Sequence, residues 1–122
     1  MVIMPYKPYV PQDVGELLDY LAHMRLASPT FKDKTGYLPR ENIDTTFFSL
    51  NEGLLVIRKK LGDERYAVLK ALSDKMRASF ESDPDDKTGD ARVGRSLIRE
   101  MEDILESIAK REAMRGAKSA QD

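Results

Sequence analysis

The tetrapeptide Asp-Lys-Thr-Gly occurs twice in this chain, at 33–36 and at 86–89. An aspartate in that setting can accept a phosphoryl group when it ends a parallel strand and a distant site holds magnesium. Tyr37 follows the first copy and Asp90 the second, and no stretch alternates apolar and polar residues for long enough to build such a sheet. Two similar turns account for both copies, with Asp and Thr bonding nearby backbone and Gly taking positive φ. Lys-Thr-Gly together with Ser107, Ile108, Ala109 and Lys110 also spells part of an acylating serine enzyme. That chemistry needs a two-lobed site, which a helical chain of 122 residues does not supply.

The segment from Asp83 to Asp90 gathers Asp83, Asp85, Asp86 and Asp90 around Lys87 and invites a calcium reading. An EF-hand needs oxygen ligands at loop positions 1, 3 and 5, glycine at 6 and glutamate at 12. Counted from Asp83, position 5 is Lys87 and position 12 is Gly94; from Asp85, position 3 is Lys87 and position 12 is Ser96. From Asp86, position 6 is Ala91 and position 12 is Leu97, so every frame fails. A solvated turn feeding a helix N-cap fits these residues better than a weak cation site of another kind. Glu100, Glu102, Asp103 and Glu106 form a second carboxylate cluster. A di-metal bundle pairs such glutamates with Glu-x-x-His, and the sole histidine, His23, has no such partner. Arg99 precedes Glu102 and Asp103 at helical spacing and marks a charge-laced exposed face. No glycine-rich phosphate loop, nucleophile elbow or histidine dyad occurs. The expectation is a non-enzymatic protein with no catalytic residue, cofactor or metal ligand.

Charge and composition narrow the class further. Twenty basic residues against 21 acidic ones give a net charge of -1, too little for a sequence-independent grip on nucleic acid. A local patch of Arg92, Arg95, Arg99, Lys110, Arg111 and Arg115 keeps a helical adaptor or nucleic-acid-associated regulator as the alternative. The absence of cysteine fits a reducing compartment and removes disulfides and thiolate chemistry. No apolar run approaches the roughly 18 residues of a membrane span. Met1 to Val10, interrupted by Pro5 and Pro8, does not read as a signal peptide. These features predict a soluble, cytoplasmic protein with no membrane partner.

The elements that would position any site are helical, and the whole chain, 1–122, reads as one domain. Residues 1–12 hold Pro5, Pro8 and Pro11 with Tyr6 and Tyr9 between them, an extended arm expected to lie on its own domain. Asp13 caps a first helix, with Glu16 completing a capping-box pattern and Gly15 weakening the first turn. Its stripe is Val14, Leu17, Leu18, Leu21 and Met24, and Ser28-Pro29 ends it. A loop over 29–42 follows, pinned by Phe31, Tyr37 and Leu38. The second helix starts near Asp44 or Thr45, with Phe47, Leu50, Leu54, Ile57 and Leu61 as its seam, widened by Phe48 and Leu55. Gly62 gives a left-handed cap and Asp63 an N-cap for the third helix, striped by Tyr66, Leu69, Leu72, Met76 and Phe80. After Pro84 and Gly89, Asp90 caps a fourth helix with Val93, Leu97, Met101, Ile104 and Ile108 as its stripe and Ile98 and Leu105 flanking. Beyond Ile108 the pattern stops, and 109–122 reads as a frayed basic tail. The fold class is all-α, a compact bundle of four or five amphipathic helices. The stripes on the second and fourth helices are wide enough to be covered internally or by a second copy in a homodimer.

Three stretches, FSLNEGLLVIRKKLGDERY from Phe48, LSDKMRASFESDPDD from Leu72 and EMEDIL from Glu100, resemble small helical bacterial immunity proteins of polymorphic or contact-dependent toxin systems. The resemblance covers residues 29–106 and rests on helix and turn signatures without a catalytic residue. It implies a protein that binds one cognate toxin domain and occludes it stoichiometrically. Toxins acting on nucleic acid have basic clefts, which acidic loops on a rigid frame can fill. The acidic, turn-rich segments supply the candidate contact residues Asp33, Glu41, Asp44, Asp83, Asp85, Asp86 and Asp90.

Overall fold

The computed structural model of the protein describes residues 8–32 and 42–121, with side chains in the last helix described as far as Arg115. Its elements are α1 (Val14–Ala27), α2 (Ile43–Val56), α3 (Arg58–Leu61), α4 (Asp63–Glu81) and α5 (Asp90–Gln121). No strand occurs among the described residues, and the all-α expectation holds. Of the proline-rich arm, residues 8–12 are described and are not helical. Tyr9 packs its ring 5.9 Å from that of Tyr20 and donates its hydroxyl to Glu16 Oε1 at 2.7 Å. That hydrogen bond to a carboxylate is the main reason the Tyr9 phenol is pushed up to about 12. Tyr6, Tyr37 and Leu38 lie outside the described residues.

Local chemistry sets the helix ends. Asp13 accepts the Glu16 amide at 2.8 Å and starts α1, as its sequence predicts. Helix α2 begins earlier than Asp44, because Asn42 and Thr45 form a reciprocal capping box: the Asn42 side chain accepts the Thr45 amide and Thr45 Oγ1 accepts the Asn42 amide. The predicted second helix is not continuous. At Ile57, φ -98° and ψ 10° break regular geometry and divide it into α2 and α3. Gly62 at φ 82° turns the chain into α4, and Asp63 is the first helical residue there, not its cap. Helix α5 does not stop at Ile108: it continues to Gln121, over about 48 Å of axis.

Packing centres on α5, which lies against α4 and α1, while α4 also packs on α2. The core contains Leu17, Leu21, Met24, Phe47, Leu50, Leu54, Leu69, Met76, Phe80, Ile98, Met101 and Leu105. Phe31, buried at the end of the 28–32 turn, sets its ring edge-on to Phe47 at 5.8 Å and to Phe80 at 5.2 Å. The buried face of α5 is rotated from the expected stripe. Ala91, Gly94, Ile98, Met101, Leu105 and Ile108 face inward, Leu97 and Ile104 are half-buried, and Val93 is exposed. The reason is steric. A Cβ at Gly94 would fall 2.6–2.9 Å from three atoms of the Phe80 ring, so only glycine permits this approach of α5 to α4.

Gly94→Ala therefore tests the packing. Overpacking costs about 1–3 kcal/mol, which outweighs the up to ~1 kcal/mol that alanine gains over glycine within a helix. At Gly15 an added Cβ meets only Asp13 Oδ1 at 3.4 Å, so Gly15→Ala keeps the helix gain. Thermal unfolding is expected to show a lowered Tm for Gly94→Ala and a raised one for Gly15→Ala. A Gly94→Ala protein as stable as the parent would contradict the packing described.

Candidate functional site

The acidic turn between α4 and α5 is built around one carboxylate. Asp83 is 2% exposed, the lowest of its acidic neighbours. Its Oδ1 accepts the backbone amides of Lys87 at 2.8 Å and Thr88 at 3.1 Å, and its Oδ2 accepts that of Ala91 at 3.0 Å. The first turn of a helix leaves its amides without intrahelical acceptors, and the helix dipole favours a negative charge there. Asp83 meets both requirements from eight residues away. The Ala91 amide first, with those of Lys87 and Thr88, outweighs burial and lowers the Asp83 pKa to about 2. The capping expected of Asp90 is thus carried at the Ala91 amide by Asp83, while Asp90 Oδ2 accepts from Ser82 Oγ at 2.9 Å.

Further contacts hold the turn to the body. Asp86 adopts φ 57°, which aspartate tolerates in turns, and both its carboxylate oxygens accept from Arg95 Nη2 at 3.1 Å. Arg95 Nη1 reaches Ser28 Oγ at 3.3 Å, so one guanidinium joins the turn, α5 and the end of α1. Ser28 in turn donates to the Arg25 carbonyl. Gly89 at φ 95° completes the turn into α5. Between the turn and residues 26–32 lies a groove of about 490 Å³ lined by Leu26, Pro29, Lys32, Pro84, Asp85 and Asp86. Its rim combines an apolar side chain, Leu26 at 89% exposure, with the exposed Asp85.

The structure separates the predicted contact residues. Asp83 is withdrawn from solvent and holds the turn's shape. Asp85, Asp86 and Asp90 stand on its exposed side, Asp86 already paired with Arg95. Asp44 sits at the start of α2 and pairs with Arg77, which also donates from Nε to Glu81 at 2.6 Å. The Glu81 contact, with Asp44 adding to it, raises the Arg77 pKa. Asp33 and Glu41 lie outside the described residues. Among the described residues no three histidine, aspartate or glutamate side chains converge as a metal-ligating group. His23 is exposed beside the Tyr20 ring at 6.2 Å.

Two partners escape sequence reading. Arg95 carries a signal only for anionic ligands, and nothing local ties Arg77 to Asp44, 33 residues away. Helices α1 and α5 are joined further by Arg25 and Glu102 at 3.3 Å, and Arg25 Nε and Glu102 Oε1 are buried without a hydrogen-bond partner among the described residues.

Asp83→Asn is expected to lower Tm by several degrees, because an amide keeps one acceptor oxygen for three donors and loses the charge. The sign of the pH effect follows from the lowered pKa. Asp83 contributes its full stabilisation above its unfolded value of 3.8, and that contribution is lost as pH falls to about 2. The difference in Tm between parent and Asp83→Asn should be constant near neutrality and shrink through that acid range. A difference that grows on acidification would contradict the assignment.

No known protein family, curated protein or solved structure matches this chain.

Proposed function

We propose that this is a non-enzymatic, cytoplasmic binding protein, and most concretely an immunity protein that neutralises a cognate bacterial toxin domain by stoichiometric occlusion. The observation that carries the reading is the acidic turn fixed from within by Asp83. A turn already held in one shape loses little conformational entropy on binding, so more of its contact energy becomes affinity. Asp85 presents a charge for steering toward a basic cleft, and Leu26 offers an apolar anchor beside it. No helix among the described residues is long and apolar enough to cross a membrane, which agrees with a partner met in solution.

A second reading, a helical adaptor or nucleic-acid-associated regulator, draws on the continuation of α5 past the core. Lys110, Arg111 and Arg115 are exposed on that extension. Arg95 is engaged by Asp86, so it supports this reading less than the other basic residues do.

Co-expression with the toxin encoded beside it should give a 1:1 complex and suppress toxicity. Asp85→Lys and Leu26→Asp should each weaken that complex about tenfold or more without lowering Tm, since a buried anchor or a reversed charge is worth over 1.4 kcal/mol. Asp83→Asn should weaken binding and stability together. Unchanged toxicity on co-expression would sink the immunity reading, and salt-sensitive binding to DNA or RNA that depends on Lys110, Arg111 and Arg115 would favour the second.

A further inference from the structure

Charge in this chain is sorted by position, which the net value of -1 conceals. Residues 81–90 carry Glu81, Asp83, Asp85, Asp86 and Asp90 against Lys87, five acids less one base, a local charge of -4. Basic residues collect elsewhere. Arg58, Lys59 and Lys60 follow one another in α3, and Lys110, Arg111 and Arg115 come after Ile108, the last core residue of α5. Along α5, Asp90 and Arg111 are about 30 Å apart at ~1.5 Å per residue. That is roughly three Debye lengths at ~0.1 M salt, so the acidic turn does not neutralise the other end.

Two elements distant in sequence build the basic end. Ile57 and Leu61, both buried, hold α3 to the core and leave Lys59 on its outer side. Lys60 Nζ reaches Glu112 Oε1 at 3.1 Å, which brings the extension of α5 beside α3. Arg111 and Arg115 fall about 40° apart around α5 and form a second row, from which Lys110 stands off by about 100° or more. Arg58 is engaged by Asp63 and the Tyr66 ring, and Lys60 by Glu112. Lys59, Arg111 and Arg115 are exposed and make no ion pair among the described residues. Against them stands Glu64, exposed and unpaired in the first turn of α4. Glu106 falls about 140–180° around α5 from Arg111 and Arg115 and faces away.

The composition of this end selects its partner. Beyond Ile108, Met114 is the one large apolar residue before Gln121, so the extension offers no apolar face to another protein or a lipid bilayer. Its two rows of cations stand on separate helices, no closer than the ~8–10 Å between packed helix axes. Duplex DNA presents two rows of phosphates across a major groove about 12 Å wide, with one charge per ~1.7 Å of axis. A single strand meets only one row. We propose that α3 and the extension of α5 form a surface for the phosphate backbone of duplex DNA, with Lys59 on one row and Arg111 and Arg115 on the other. Glu112 restrains that grip by holding Lys60. The proposal rests on the nucleic-acid reading above and adds to it the second row and the class of nucleic acid. The acidic turn, at the other end, stays free for a protein partner.

Fluorescence anisotropy of a short labelled duplex with the full-length protein reads the grip. Three phosphate contacts give a slope of about -2.7 for log affinity against log salt, so binding should weaken about 40-fold from ~50 to ~200 mM salt. Lys59→Ala and Arg111→Ala should each reduce that slope by about one. Glu112→Gln releases Lys60 and should instead tighten binding and steepen the slope by about one, a gain that damage to the fold does not produce. Lys75→Ala, an exposed position about 18 Å along α4 from Asp63, should change nothing. The same oligonucleotide as a single strand should bind more weakly at equal salt. Absence of salt-dependent binding would overturn this proposal and the nucleic-acid reading together. Binding that needs Arg111 and Arg115 but ignores Lys59→Ala and Glu112→Gln would overturn the two-row surface and leave that reading standing. A single strand bound as tightly as the duplex would do the same.

Discussion

A buried carboxylate is the most demanding group in this protein, and the arrangement of α4 and α5 depends on how it is satisfied. Asp83 lies where α4 has ended and α5 has not begun, with only 2% of its surface exposed. An ionised group there needs hydrogen-bond donors, and the turn supplies three backbone amides, with the Thr88 side chain adding to them. Those bonds determine the path of residues 84–90 and the point at which α5 starts. They also set the level at which Gly94 meets the Phe80 ring, one turn further along. A polar requirement at the turn and a steric one in the core thereby select the same register between the two longest helices.

The rest of the bundle distributes its interactions unevenly. Aromatic contacts among Phe31, Phe47 and Phe80 join the 28–32 turn, α2 and α4 at the end of the molecule where the acidic turn lies. Arg95 and Ser28 tie that end again from outside. At the opposite end, α5 leaves the bundle after Ile108, and Lys60 with Glu112 at 3.1 Å is an exposed ion pair of small energetic weight. The molecule is most tightly determined around the turn proposed to meet a partner. Contact surfaces built on rigid supports need little reorganisation on binding, so this distribution agrees with a role in recognition.

Much of the architecture is legible in the sequence because helix periodicity and terminal residues are local signals. Asp13 and Ser28-Pro29 bound α1, and Gly62 marks the turn into α4. The face of α5 is misread for a physical reason: the residue that decides it, Gly94, has no side chain and leaves no mark on an apolar stripe, whereas Val93 beside it does. The capping box at Asn42 and Thr45 departs from the usual pairing with Glu or Gln, so the sequence points to a start at Asp44 or Thr45 instead. Phe48 and Leu55 look like a widened core stripe because sequence cannot tell a face covered by its own chain from one left outside. The candidate site is legible as an acidic turn. Its internal division is not, since the inward rotation of Asp83 among four acidic residues depends on where the amides of 87, 88 and 91 come to lie.

The central claim is that the Asp83 carboxylate holds the turn and the first turn of α5 in place. Amide hydrogen exchange of the native protein, residue by residue, measures this most directly. The amides of Lys87, Thr88 and Ala91 should be protected although their neighbours Asp85 and Asp86 are exposed, and Asp83→Asn should remove that protection while leaving amides within α1 unchanged. Rapid exchange at these three positions in the parent, or protection that survives Asp83→Asn, would contradict the account.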